Sequence, residues 1–227
     1  MKKNYFLFLL FICFYANAQA PKGVFLAAGI NQASLNSDQL TADGSIGYHL
    51  GAAINFGYNL NFNYEFGILY SRNVLSLPYV SGVSSDFTDS GNQKYNVDTI
   101  DMNFMFNYYI IQPEYNKVFF GPQAGLTVGI TNGEWTPAKG ASTTNQTYEY
   151  GLTQNSFQGV PDFNLSTSFG IVGGFNDFRA SIKYNLGLTN ALSGVENNER
   201  DQYNLYTGPD FKGKLSSVSF TLYYKIF

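Results

Sequence analysis

Side chains with catalytic chemistry are few and far apart in this chain, which has one histidine among its 227 residues. His49 could act as a general base beside the carboxylate of Glu65 or Asp101. A serine such as Ser71 could then be the nucleophile of a hydrolase or acyltransferase. No sequence signature joins these residues, so we expect His49 to take part in a hydrogen-bond network instead. The sequence therefore predicts no catalytic site and no enzyme.

Metal and cofactor sites are not indicated either. The only cysteine, Cys13, lies near the N-terminus, and a lone histidine leaves too few ligands for zinc. Acidic residues that could in principle bind calcium occur in one late segment, but without the spacing of an EF-hand: Glu196, Glu199, Asp201 and Asp210. The formal net charge of −3 argues against nucleic acid as a partner. We expect no cofactor, no metal and no nucleic acid.

The first 18 residues are typical of a cleaved signal peptide. Lys2 and Lys3 give a positive start, an apolar run follows over residues 5–15, and Ala16-Asn17-Ala18 supplies the small residues of a cleavage site. Residues 1–18 are therefore expected to be removed. Residues 19–227 are expected to form one domain.

The composition indicates a membrane protein without membrane-spanning helices. Charged residues make up 13% of the chain, about half the usual quarter, and aromatic residues make up 18%. Beyond the signal segment there is no apolar run of about 18 residues, which a spanning helix needs. The other architecture that satisfies every backbone hydrogen bond inside a membrane is a closed β-barrel.

Apolar and polar residues alternate with a period of two in eight successive segments, which is the signature of strands. In the second segment, Tyr48 and Leu50 lie on the apolar face, whereas His49 and Gly51 lie on the other. The apolar faces begin, in chain order, at Val24, Ile46, Phe62, Ile100, Val118, Phe163, Phe178 and Val218.

Two further patterns predict that the apolar face points outward into lipid. Three links between segments are short, at residues 58–60, 109–117 and 176–177, whereas the other four span roughly 15 to 30 residues, as periplasmic turns and extracellular loops do. On the apolar face, charge occurs only at the loop-side ends, at Arg72 and Asp98. We therefore expect an all-β fold: an eight-stranded antiparallel up-and-down transmembrane β-barrel with long extracellular loops and short periplasmic turns. Its place would be the outer membrane of a Gram-negative bacterium, in contact with lipid.

The polar face is expected to fill the lumen of this barrel. Eight strands leave an interior just wide enough for side chains, so the lumen residues should pair into a polar network. The candidates are His49, Glu65, Asp101, Arg179, Lys183 and Lys225. A pore lined by the same residues is the alternative.

The long loops are the other place where binding residues could lie, since loops on a rigid scaffold commonly carry function. The loop over residues 131–161 holds the only tryptophan, Trp135, together with Tyr148 and Tyr150. These three are the candidate binding residues of the loops.

Four short stretches have a distinctive order of residues: Gly47-Tyr48-His49-Leu50-Gly51, Glu65-Phe66-Gly67-Ile68-Leu69-Tyr70-Ser71, Gly121-Pro122 and Lys183-Tyr184-Asn185-Leu186-Gly187-Leu188-Thr189-Asn190. Together they resemble the PorT-like outer-membrane β-barrels of Bacteroidetes. The resemblance implies a structural or interaction role in the cell envelope, linked to protein secretion, with other envelope or secretion proteins as partners. Two other hypotheses stay open: a membrane-embedded hydrolase or acyltransferase that uses His49, and a barrel that transports or binds small molecules.

The last segment departs from the pattern of such barrels, which usually end on an aromatic residue in phase with the apolar face. Here Ile226 takes that phase and Phe227 is out of step. A bulge near Lys225 could restore the phase, or recognition by the insertion machinery could tolerate the shift.

Overall fold

The computed structural model of the chain describes residues 22–38, 40, 42–57, 61–81, 89–111, 118–138, 146–147, 152–195 and 211–227. The expected signal peptide and the loop candidates Tyr148 and Tyr150 lie outside the described residues, so those expectations stay predictions. Glu196, Glu199, Asp201 and Asp210 lie outside them too.

Ten strands and one 3-10 turn occur in the described part of the chain. They are β1 (Gly23–Ser37), β2 (Asp43–Gly57), β3 (Phe62–Ser81), β4 (Asp89–Tyr108), β5 (Val118–Thr131), β6 (Thr136–Pro137), β7 (Gln146–Thr147), the 3-10 turn (Gln154–Phe157), β8 (Phe163–Phe175), β9 (Phe178–Gly187) and β10 (Gly213–Lys225). No helix among the described residues is long and apolar enough to cross a membrane.

Eight of these strands form a closed barrel, and β6 and β7 belong to the connection between β5 and β8. Each barrel strand pairs antiparallel with its neighbour along the chain, and β10 pairs with β1 to close the ring. The predicted eight-stranded antiparallel up-and-down barrel is therefore confirmed.

The strands are strongly staggered around the barrel. Cross-strand partners can be followed from strand to strand around the whole barrel. The row that starts at Gly129 on β5 includes Asp101 and Arg179 and meets β5 again at Phe119, ten residues away (129 to 119). Such a stagger requires strands that tilt by roughly 35–45° from the barrel axis. Residues that are distant along one row can therefore face each other across the lumen.

The outward positions form an apolar belt around the barrel. On β10, Phe220 and Leu222 point outward and are 40% and 55% exposed, whereas the alternating Ser219 and Thr221 point inward and are buried. Three aromatic pairs cross β3 and β4 on the outer face, with ring centroids 5.0 to 5.2 Å apart: Phe62 and Tyr108, Tyr64 and Phe106, Phe66 and Phe104. The outward row of β10 runs from Val218 to Ile226, close to the roughly 9 to 11 residues that a tilted membrane strand needs.

The polarity of the two faces inverts toward the end of the barrel that carries the long connections, which we call the loop end. Along β1, the outward residues change from Leu26 and Ile30 to Ser34, while the inward residues become the buried Ala33 and Leu35. Polar residues outside and apolar residues inside are the arrangement that favours a wall surrounded by water. The barrel thus continues above its belt as a β-structure of the soluble kind.

This inversion explains why the prediction of a long loop is wrong for two of the four connections. β3 and β4 pair as far as Ser81 and Asp89, and β1 and β2 are separated only by residues 38–42. The apolar residues change face near Arg72, so the outward apolar pattern ends although the strand continues. The connections at 132–162 and 188–212 do remain long.

At the opposite end, which we call the turn end, the chain reverses tightly between β8 and β9. Asn176 takes the left-handed conformation, with φ of 53°, which Asn tolerates better than most residues. The backbone carbonyl of Asp177 accepts a hydrogen bond from the Lys225 backbone N–H at 2.8 Å, which ties this turn to β10. β10 pairs without a register shift and ends at Lys225, so the suggested bulge is absent and Phe227 lies exposed beyond the strand.

Candidate functional site

An apolar cluster fills the loop end of the lumen, and we call it the loop-end plug. The strands contribute inward residues from above the belt, and the long connections contribute the rest. Its buried members are Ala33, Leu35, Leu40, Leu75, Leu77, Tyr95, Val97, Trp135, Leu152, Phe157, Val160, Leu192, Val195, Phe211 and Leu215.

The connection between β5 and β8 is fastened to the barrel by short pieces of sheet. β6 pairs with β4 through Thr136 and Pro137, and β7 pairs with β3 through Gln146 and Thr147. The ring of Trp135 stacks on Phe157 with centroids 5.3 Å apart and planes 4° apart. Trp135 is only 4% exposed and packs inside the plug, and its binding role stays a prediction.

A buried ion pair crosses the lumen nearer the turn end. Arg179 Nη2 donates to Glu65 Oε2, and both side chains are almost completely buried. Tyr223 donates to the other carboxylate oxygen of Glu65 at 3.4 Å, and its ring lies 4.5 Å from the guanidinium of Arg179. The buried rings of Tyr109 and Phe119 pack together at 5.1 Å on the same level of the barrel wall. These three aromatic side chains therefore fill the lumen at this level.

Between the plug and the ion pair lies a cavity of about 60 Å³, which we call the central chamber. Most of its lining is Ser, Thr and Asn, and His49, Asp101 and Lys183 also line it. His49 shares a hydrogen bond of 2.8 Å with Thr221 through Nε2. Gly29 lies opposite His49 on β1, where a Cβ atom would collide with the imidazole, so glycine makes room for the ring.

The six predicted lumen residues therefore do not form one network. Glu65 pairs with Arg179, while the three others that line the central chamber are separate from that pair. Lys225 lies apart from both groups, half-buried at the turn end beside Gly23. The stagger of the strands, which the sequence does not display, decides which residues meet.

The arrangement required for acyl transfer is not assembled. His49 bonds to Thr221, whereas Ser71 donates its hydrogen bond to Asp101. Ser71 lies directly opposite His49 on β3, but the hydrogen bond of each side chain goes to another partner, and a nucleophile needs a hydrogen-bonded base. Within the described ranges, no group of three side chains is arranged to hold a metal ion.

The two charges predicted at the edge of the apolar face neutralise each other. Arg72 and Asp98 are directly paired across β3 and β4, and two guanidinium nitrogens donate to the carboxylate at 2.7 and 2.8 Å. Arg72 also donates to the hydroxyl of Tyr70 at 3.1 Å and lies 5.8 Å from the ring of Tyr48. This cluster marks the loop-side edge of the belt.

The stretch Lys183 to Asn190 has a structural role that the sequence did not predict. Asn190 Oδ1 accepts from the backbone N–H groups of Leu192 and Gly213, and its amide donates to the carbonyl of Phe211. Asn185 donates to Ser217 and accepts from Ser168, which joins three neighbouring strands. A polar residue at the end of a strand followed by a long connection is the signal that could have revealed it.

Comparisons with known proteins were made against families, curated proteins and solved structures. No family model and no curated protein matches the chain. Similar solved structures include Ail, the attachment invasion locus protein of Yersinia pestis, in complex with the heparin analogue sucrose octasulfate, with 11% identity over 90% of this chain and 99% of that chain and a TM-score of 0.41.

Two further barrels have comparable similarity. Neisserial surface protein A has 12% identity over 90% of this chain and 97% of that chain, with a TM-score of 0.42. The outer membrane protein OprG from Pseudomonas aeruginosa has 13% identity over 92% of this chain and 99% of that chain, with a TM-score of 0.40. At these values the likeness carries no argument about function, and the fold rests on the strand pairing of the chain itself.

Proposed function

We propose that this chain is a closed outer-membrane β-barrel with a structural or interaction role in the envelope of a Gram-negative bacterium. The apolar belt and the inversion of polarity above it support this location. A surface of large apolar side chains that encircles a barrel would be costly in water, whereas lipid covers it without penalty.

The filled lumen is the observation that carries the proposed role. The loop-end plug fills one end of the interior, and the Arg179–Glu65 pair with its aromatic neighbours fills the other. A solute would have to displace packed apolar rings and a buried ion pair to pass. Function is therefore assigned to the outside of the barrel, where it can meet other envelope proteins.

The closed lumen is tested by electrical recording. Purified protein is reconstituted into planar lipid bilayers, beside a porin as positive control and protein-free detergent as negative control. We expect no single-channel steps above the detergent background. Reproducible steps at the protein concentration used for the porin would refute the closed lumen and favour the transport hypothesis.

The location is tested separately by fractionation. We expect the protein in the outer-membrane fraction and a shift of its gel band after boiling, as closed barrels resist detergent until heated. A protein recovered in the soluble periplasmic fraction would contradict the proposal.

The finer part of the proposal is a PorT-like role with partners in protein secretion. Its support is the resemblance of the short motifs, above all the stretch from Lys183 to Asn190. We expect crosslinking in the native envelope to capture secretion proteins more strongly than an unrelated eight-stranded barrel of similar abundance does. Equal capture by both barrels would remove the secretion role while leaving the barrel itself intact.

A further inference from the structure

The central chamber contains a buried cation without a direct protein partner. Lys183 is 3% exposed and lines the chamber from β9. Its ammonium carries three donors, yet it makes no hydrogen bond or ion pair with any described residue, although it lies near enough to Asp101 and His49 to interact electrostatically. A buried ammonium is strongly unfavourable unless its donors find acceptors.

Other groups around the same chamber lack acceptors or donors as well. Asn31 Oδ1 and Ser219 Oγ are buried and have no hydrogen-bond partner among the described residues. Asp101 receives a hydrogen bond from the hydroxyl of Ser71, and a carboxylate has room to accept more. The chamber thus presents unsatisfied donors and unsatisfied acceptors together.

We propose that the central chamber is a binding site for a small cluster of water molecules that bridges Lys183 to Asp101. Water both donates and accepts, so it can satisfy the ammonium, the carboxylate and the amide oxygen of Asn31 at once. A volume of about 60 Å³ is sufficient for a few molecules, since a cavity needs about 10 to 15 Å³ for each.

The chemistry of the lining excludes the other simple occupants. A small anion would satisfy Lys183 but would repel Asp101, and it would leave the oxygen of Asn31 without a donor. A cation would meet the ammonium, and an apolar solute would satisfy none of the polar groups. The water cluster therefore holds an ion pair that the side chains are too far apart to form directly.

This inference concerns the interior and is independent of the proposed role in the envelope. It is tested by a crystal structure of the unaltered protein at a resolution that shows ordered water, about 2 Å or better, grown in bromide. We expect two or more waters in the chamber, at least one within hydrogen-bond distance of Lys183 Nζ and one of Asp101. A dry chamber, a direct contact between the two side chains, or anomalous bromide density at Nζ would each overturn it.

A double-variant cycle tests the bridge in solution. Lys183→Met and Asp101→Asn are each expected to lower the urea midpoint of unfolding in detergent micelles, and the double variant should lose clearly less than the two single losses combined. Lys225→Met is the matched control, because this lysine lies outside the chamber and should change the midpoint little. Additive losses would contradict a bridge between the two charges.

Discussion

At the scale of single residues, the Arg179–Glu65 pair is the most consequential contact in the lumen. It joins β9 to β3 across the barrel, between residues 114 positions apart in the chain. Arg179 Nε and Nη1 have no partner among the described residues, so the desolvation of the guanidinium is only partly offset. The pair therefore specifies which strands face each other more than it stabilises the barrel.

Arg179→Ala is expected to lower the free energy of unfolding by about 3 to 5 kcal/mol, because Glu65 is left as an uncompensated buried charge. Urea titration in detergent micelles, followed by the heat-modifiable gel band, measures the loss. The double variant Arg179→Met with Glu65→Leu should recover most of it. A double variant no more stable than Arg179→Ala would show that the pair contributes more than we infer.

Asn190 gives a second prediction at this scale. Asn190→Ala removes three hydrogen bonds to backbone groups and should cost about 1 to 3 kcal/mol for the buried groups that lose their partner. Asn190→Asp keeps both acceptor bonds and should cost less in the same urea titration. Equal losses for the two variants would mean that the donor bond to Phe211 dominates.

At the scale of elements, the strands consist of two parts with opposite polarity. The same β1 that exposes Leu26 and Ile30 within the belt buries Leu35 above it. One continuous strand is therefore suited to lipid along one part and to water along the other. The face that carries the apolar residues indicates which of the two surrounds that part. The edge between the two parts lies near Gln32 on β1 and near the Arg72–Asp98 pair on β3 and β4.

A charge placed on the outer face tests this division. Leu222→Arg, in the middle of the belt, is expected to cost about 2 to 4 kcal/mol of folding free energy in lipid vesicles, because a basic side chain there faces hydrocarbon. Asn36→Arg, outward on β1 above the belt, is the matched control and should fold almost as well as the unaltered chain. Similar losses at both positions would show that the belt does not end where the polarity inverts.

At the scale of the whole molecule, we expect the barrel to be more stable than its loop-end plug. The barrel is a closed ladder of paired strands, whereas the pieces that fasten the plug, β6 and β7, are two residues long. Regions with few backbone hydrogen bonds open at lower free energy than a closed ladder. The plug is therefore the part most able to open while the barrel stays folded.

The single tryptophan makes this difference measurable. Trp135 lies inside the plug, so its fluorescence emission should shift to the red at a urea concentration below the one at which the heat-modifiable band disappears. Phe157→Leu removes the stacked ring and should lower the first transition while leaving the second in place. Coincident transitions in the unaltered protein would show that plug and barrel unfold as one unit.

The alternation along the chain is enough to predict the barrel, its number of strands and the face that turns outward. In a strand with a period of two only one face is apolar, and a slip of one residue would move every side chain to the opposite face. Eight such segments with an uncharged apolar face therefore leave little choice of fold or of outward face. The inward direction of His49 and Lys183 follows from the same pattern.

Where the strands end and which lumen residues meet depend on how the barrel closes. The pairing of Glu65 with Arg179 depends on a stagger of ten residues around the ring, which no local pattern records. The burial of Trp135 likewise needs the loops folded back into the barrel mouth. Local alternation records which side of a strand meets which solvent, whereas contacts across a lumen are set by how the strands close.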